Sequence, residues 1–217
     1  MFRSRLTLAA LFMTAGIALA QGAPPKPAAP PAWVQRSNEN AKVLIQVLAR
    51  FEPEAASQIG AEGFDEQIVD MKPGVNERSR RATREAIDEL KRRLAQEKDP
   101  LVRQDLEIMI KAAHQNIRGS LLSEMWDVPY FNLPRNVFLG IRSLLDDQVP
   151  PERRKAALVR LRRYAGMEPG YDPIVKLAED RTRERLNQPG LLGPVKEEVE
   201  RNLNTSPLFI AGIGQLL

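Results

Sequence analysis

The 217 residues are 43% hydrophobic, 28% charged and 6% aromatic. This is the balance of an ordinary globular chain, and it excludes collagen, mucin-like stalks and wholly disordered tails. Thirty-two Lys and Arg against 28 Asp and Glu leave a net charge of +4, which falls to +2 if Arg3 and Arg5 leave with the segment described next; that surplus is too small to imply a nucleic-acid or membrane-surface partner. With no Cys and a single histidine, His114, disulfides, thiolate metal sites, Cys nucleophiles and His-rich metal centres are excluded.

The chain opens on a basic stretch, Arg3 and Arg5, followed by 14 uncharged, mostly apolar residues at 6–19 and then Ala18-Leu19-Ala20. This is the pattern of a secretory signal peptide cleaved after Ala20, and it predicts an exported protein, periplasmic or secreted in a bacterium. The alternative, a membrane anchor, fits less well, because the apolar run is shorter than the roughly 17–25 residues that span a bilayer. Residues 21–33 hold five prolines between Pro24 and Pro31 and read as an extended Pro/Ala-rich linker. The predicted organisation is therefore a signal peptide at 1–20, a linker at 21–33 and a helical domain at 34–217.

From residue 34 onward, apolar residues recur at helical spacing and no stretch sustains the two-residue alternation of a strand. Val43, Leu44, Val47, Leu48 and Phe51 form one stripe, and Pro53 opens a short turn that Gly60 ends. Residues 61–73 read as a loop. A helix over 76–96 buries Thr83, Ile87, Leu90 and Leu94, and its mixed charges, Arg80 among them, read as a solvated face. Asp99-Pro100 is a capping residue ahead of a first-turn proline, and it launches a stripe of Val102, Leu106, Met109, Ile110, Ala113, Ile117 and Leu121. Residues 126–134, with two prolines and three aromatics, read as an ordered loop. Helices follow at 136–145, from Pro151 with Ala157, Leu158, Leu161 and Tyr164 inward, at 174–186 behind a second cap-plus-proline pair, Asp172-Pro173, and at 195–203. A last helix opens at Ser206-Pro207 and runs through residues 208–217. The prediction is an all-α multi-helix bundle of about eight helices, with no repeat of fixed period.

The last segment, from Leu208 to Leu217, is apolar on several faces and lacks a C-cap or polar tail. It reads as a helix that packs against more protein, either a missing C-terminal half or another protein surface. A helix tucked into its own core is the alternative.

Candidate chemistry is sparse. His114 flanks an apolar stripe and reads as a structural hydrogen-bonder, with no second His to complete a zinc site. Glu62, Asp65, Glu66 and Asp70 lack the spacing of a calcium loop and read as solvated carboxylates. Trp126, Tyr130 and Phe131, on the proline-rigid loop, are the candidate site residues: they line a ligand pocket, or they pin the loop to the core or to another domain. No catalytic, cofactor-binding or metal-ligating residue is assigned.

Three segments carry a family resemblance. Pro53, Ala56, Ser57 and Gly60 fit a P-x-x-A-[ST]-x-x-G opening ahead of an acidic loop. The runs 163–171 (RYAGMEPGY), 177–185 (LAEDRTRER) and 188–194 (QPGLLGP) follow in order. In these the chain resembles the bacterial "domain of unknown function 885" family over most of 34–217. Members of that family are similar to zinc metallopeptidases, with an H-E-x-x-P-G-H-H-type motif on a helix of the C-terminal half, where two His hold the metal and the Glu activates water. Here His114 is followed by Gln115 and that motif does not occur, so no metal or catalytic residue carries over. The resemblance implies a non-catalytic N-terminal helical portion of a larger zincin-like fold, one wall of a substrate channel and inactive alone, with zinc belonging only to the missing half. The alternative is a stand-alone periplasmic helical binding or interaction protein. A nucleic-acid binder, suggested only by a sequence pI near 9.5, is disfavoured by the interleaved charges.

Overall fold

A computed structural model describes residues 29–216. The predicted signal peptide and residues 21–28 of the linker lie outside the described residues, as does Leu217. The architecture is all-α. Nine helical segments run through the described residues: α1 (Ala32–Phe51), α2 (Pro53–Gln58), α3 (Val75–Gln96), α4 (Pro100–Trp126), α5 (Leu133–Leu145), α6 (Pro151–Arg154), α7 (Ala156–Tyr164), α8 (Ile174–Leu186) and α9 (Lys196–Leu216). No helix among them is long and apolar enough to cross a membrane.

α1, α3 and α4 pack on one another. Leu90, Val102 and Leu106 are fully buried at their centre, with Trp33, Val43, Leu44 and Leu94 around them. These are the residues that helical spacing places inward. Asp99 caps α4 by accepting from the Leu101 N–H at 3.0 Å, and Pro100 needs no donor in the first turn. Arg93 donates to the buried Asn40 side chain at 3.0 Å, which ties α3 to α1.

A second core joins α5, α7 and α8 to the segment between α2 and α3. Ile141, Leu144, Ala157, Tyr164, Ile174 and Ala178 bury against Ile68 and Met71. On α7 the inward stripe is Ala156, Ala157, Arg160 and Tyr164. Leu158, expected inside, is 56% exposed, and Arg160 takes the inward place at 0%.

Several expected boundaries move. α1 takes in Ala32 and Trp33, which the linker reading left out. α4 runs on through Trp126, and α5 starts at Leu133 rather than Asn136. The reason is Asn132, whose side chain caps α5 by accepting from Arg135, with Pro134 in the first turn. Asp172 does not cap α8; Pro173 holds that position without a side-chain bond. The two expected C-terminal helices are one, with Pro207 inside α9. Thr205 and Ser206 donate to the carbonyls of Arg201 and Asn202 in the turn before the proline, while Pro207 itself has no N–H for the carbonyl four residues back.

The loop at 127–132 and the turn at 189–194 join each other. The Leu192 N–H donates to the Trp126 carbonyl at 2.7 Å, and the Val128 N–H to the Leu192 carbonyl at 2.9 Å. This parallel bridge is the one β-pairing among the described residues. α9 then packs along α5, with Phe209 against Phe138 at 5.6 Å between ring centroids.

Truncating Leu90 to Ala should cost about 2–5 kcal/mol by leaving a cavity in the first core. Leu158→Ala should stay within about 0.5 kcal/mol. Urea unfolding of both variants checks the inward register of α3 and the outward place of Leu158 together.

Candidate functional site

The acidic loop between α2 and α3 is the first part of the site; Glu62 and Glu66 are exposed as expected, whereas Asp65 and Asp70 are largely covered and paired with arginines. Asp65 accepts from Arg153 Nε and Nη2, each at 2.7 Å, and from Ser57 Oγ at 2.5 Å. Its carboxylate is 13% exposed. Arg163 donates to the Glu66 carbonyl at 2.8 Å and to its carboxylate at 3.1 Å. Asp70 pairs with Arg78. Glu62 alone of the four keeps an exposed place without a hydrogen bond among the described residues. Arginines from α6 and α7 thus clamp the loop, and the mechanism is charge-assisted, bidentate pairing.

Beneath the clamp lies a buried polar knot. Arg160 donates to the Gly140 carbonyl at 2.8 Å and to the Phe64 carbonyl at 3.1 Å. Burial pulls its pKa down, against the favourable fields of Glu54 and Asp65. Tyr164 donates to Glu54 Oε1 at 2.7 Å, and the Val69 N–H donates to the same oxygen at 2.9 Å. Burial, and then the Glu54 charge, push the Tyr164 hydroxyl far above its ordinary value, so it stays a donor.

This knot sets one wall of a cleft of about 500 Å³. Val69 and Met71 from the loop, Phe51 from the end of α1, and Leu139 and Phe131 give it an apolar lining. The polar lining draws on several elements: Glu52, Glu54 and Gln58 at and on α2, Asp70 of the loop, Asn76 and Ser79 on α3, Asn116 on α4 and Asn136 on α5. Arg181 of α8 completes it; its side chain is 9% exposed and donates through Nη1 to Glu184 at 3.0 Å. Arg80, expected on a solvated face, is buried to 5%. It pairs with Glu77 and Glu124 and donates to Ser120 Oγ at 3.2 Å, fixing that hydroxyl on the cleft wall.

Of the candidate aromatics, Phe131 lines the cleft and both adjoining hollows and packs on the second core. Tyr130 lines the two hollows, and its hydroxyl accepts from Asn202 of α9 at 3.1 Å. Trp126 ends α4 and is 53% exposed, away from the cleft. The loop therefore both pins and lines, through different rings. His114 is exposed beside a shallow hollow with Lys91 and Glu107 and makes no hydrogen bond among the described residues, so it is not the structural bonder expected. No group of three or more potential metal ligands occurs among the described residues. Ser79 and Ser120, on the cleft wall, are bonded to neither a His nor a carboxylate among the described residues. Sequence reading missed Arg181 and the three asparagines. Arg181 had a signal, since it falls in register with Ile174 and Ala178 on the buried stripe of α8.

Compared with protein-family models, with curated proteins and with solved structures, the chain has no match.

The hydrogen bonds from Arg153, with a smaller contribution from Ser57, hold the Asp65 carboxyl below its ordinary value of 3.8 despite its burial. A depressed carboxylate stabilises the folded state above the unfolded value and loses that contribution as pH falls through and below it. The stability of the unmodified chain should therefore fall between pH 5 and 3 more steeply than that of Arg153→Met, whose Asp65 has lost its partner. Urea midpoints measured across that window check the sign.

Proposed function

We propose that the helical body is a non-catalytic binding module: the N-terminal helical portion of an exported zinc-peptidase-like protein, supplying one wall of a substrate cleft and inactive alone. The family likeness rests on the sequence motifs. The observation that carries the binding role is the cleft itself, in which apolar side chains (Phe51, Val69, Met71, Phe131 and Leu139) alternate with polar and charged groups from several helices. In this reading the metal and the water-activating Glu belong to a C-terminal half.

That half, or another protein surface, packs on α9. Leu203, Leu208 and Ile210 are 65%, 72% and 61% exposed, while Phe209 and Gly212 face α5. Apolar side chains of this size, left in water on more than one face of a helix, favour association. A second reading, a stand-alone periplasmic binding protein, draws support from the way α9 already seats on α5. A Cβ on Gly212 would lie 2.7 Å from the Phe138 ring, so the two helices are in close contact.

On the first reading, the purified chain supplied with zinc should not hydrolyse peptides. It should self-associate in light scattering and bind a hydrophobic dye. Leu208→Glu with Ile210→Glu should abolish both while moving stability by no more than about 0.5 kcal/mol per site. Zinc-dependent peptide turnover by this chain would overturn the reading. A monodisperse, dye-silent chain would favour the second.

A further inference from the structure

The geometry points to a carboxylate-binding site at Arg181, and we infer that the cleft takes a small monocarboxylate with an apolar or aromatic body. Arg181 is 91% removed from solvent on its side chain, since 9% remains exposed, yet only its Nη1 has an acceptor among the described residues. Its Nε and Nη2 are not among the buried polar atoms that lack a partner, unlike the Nε of Arg160, Arg163 and Arg185. They therefore keep a little accessible surface, on a side chain that lines both the cleft and the hollow beside it. A guanidinium edge offering two parallel N–H groups from a nearly dry wall matches a carboxylate fork.

The surroundings narrow the ligand. Asp70 is offset by its pair with Arg78, whereas Glu54 is held by two neutral donors, the Tyr164 hydroxyl and the Val69 N–H, which leave its charge on the cleft wall. Glu52 lines the cleft, is exposed and makes no side-chain bond among the described residues. Its free charge disfavours a polyanion and suits a ligand charged at one end only. Phe131, Leu139 and Met71 supply the apolar surface for the rest of the molecule, and Asn76 and Asn136 supply neutral donors beside it. The inference stands whether or not a further surface packs on α9.

Calorimetric titration of the full chain with 3-phenylpropionate, and with its neutral analogue 3-phenylpropionamide, tests it. The acid should bind saturably with one site, about tenfold or more tighter than the amide, as expected for a hydrogen-bonded charge. Arg181→Gln should bring the acid to the amide's affinity and leave the amide unchanged. Arg181→Lys, which keeps the charge but loses the fork, should also weaken the acid. Equal binding of acid and amide, no saturable binding of the acid, or undiminished binding by Arg181→Gln would each overturn the inference. If Arg181→Gln fails to melt cooperatively, the acid–amide comparison on the unmodified chain decides by itself.

Discussion

One guanidinium holds the fold's centre. Arg160 has no exposed surface and joins α7 to the Gly140 carbonyl of α5 and the Phe64 carbonyl of the acidic loop. Its Nη1 and Nη2 are met by these two carbonyls while its buried Nε has no partner among the described residues, so each acceptor matters to a charge held out of water. The loop is thus fixed at a depth where Ile68 and Met71 enter the second core and the Val69 N–H reaches Glu54. There is no slack in this arrangement. A Cβ on Gly140 would sit 2.3 Å from the Tyr164 hydroxyl, so the glycine is what lets Tyr164 reach its acceptor. The cleft wall inherits its shape from these contacts.

The first core was almost fully legible in the sequence. Leu90, Val102 and Leu106 lie where helical spacing places them, because a dry three-helix contact rewards only apolar periodicity. Less legible were three arginines that occupy stripe positions: Arg160 and Arg181, on the two helices α7 and α8 of the second core, and Arg80 on α3. Read by type alone they are surface residues. Read by register they sit in phase with Thr83 and Ile87, with Ala157 and Tyr164, and with Ile174 and Ala178. A charge in phase with a buried stripe was the signal available and not used. Pro207 misled in the opposite way. A proline usually marks a boundary, and here one helix continues across it.

The cleft had no such signal. Asn76, Asn116 and Asn136 belong to three helices, and no spacing in the chain relates them. Their convergence is a product of packing. The aromatic loop was recognisable from its prolines, yet the roles of its rings depend on tertiary detail. Trp126 became the last residue of α4, its carbonyl committed to Leu192, while Phe131, five residues on, reached the cleft. The same loop that closes the pocket is therefore held from behind by the turn that leads into α9.

That attachment sets how the molecule would come apart. α9 has no buried residue and rests on α5 through Phe209, Gly212 and the partly covered Leu216, whereas α3 buries six side chains. Elements with little buried apolar surface open at a small fraction of the global unfolding free energy. α9 is thus a separable cooperative unit. Its amides would exchange with solvent while those of α3 stay protected, and Asn202 would release Tyr130 each time it opened. The exposed end of the aromatic loop would then be loosened by a fluctuation far milder than melting, without disturbing the arginine knot below it.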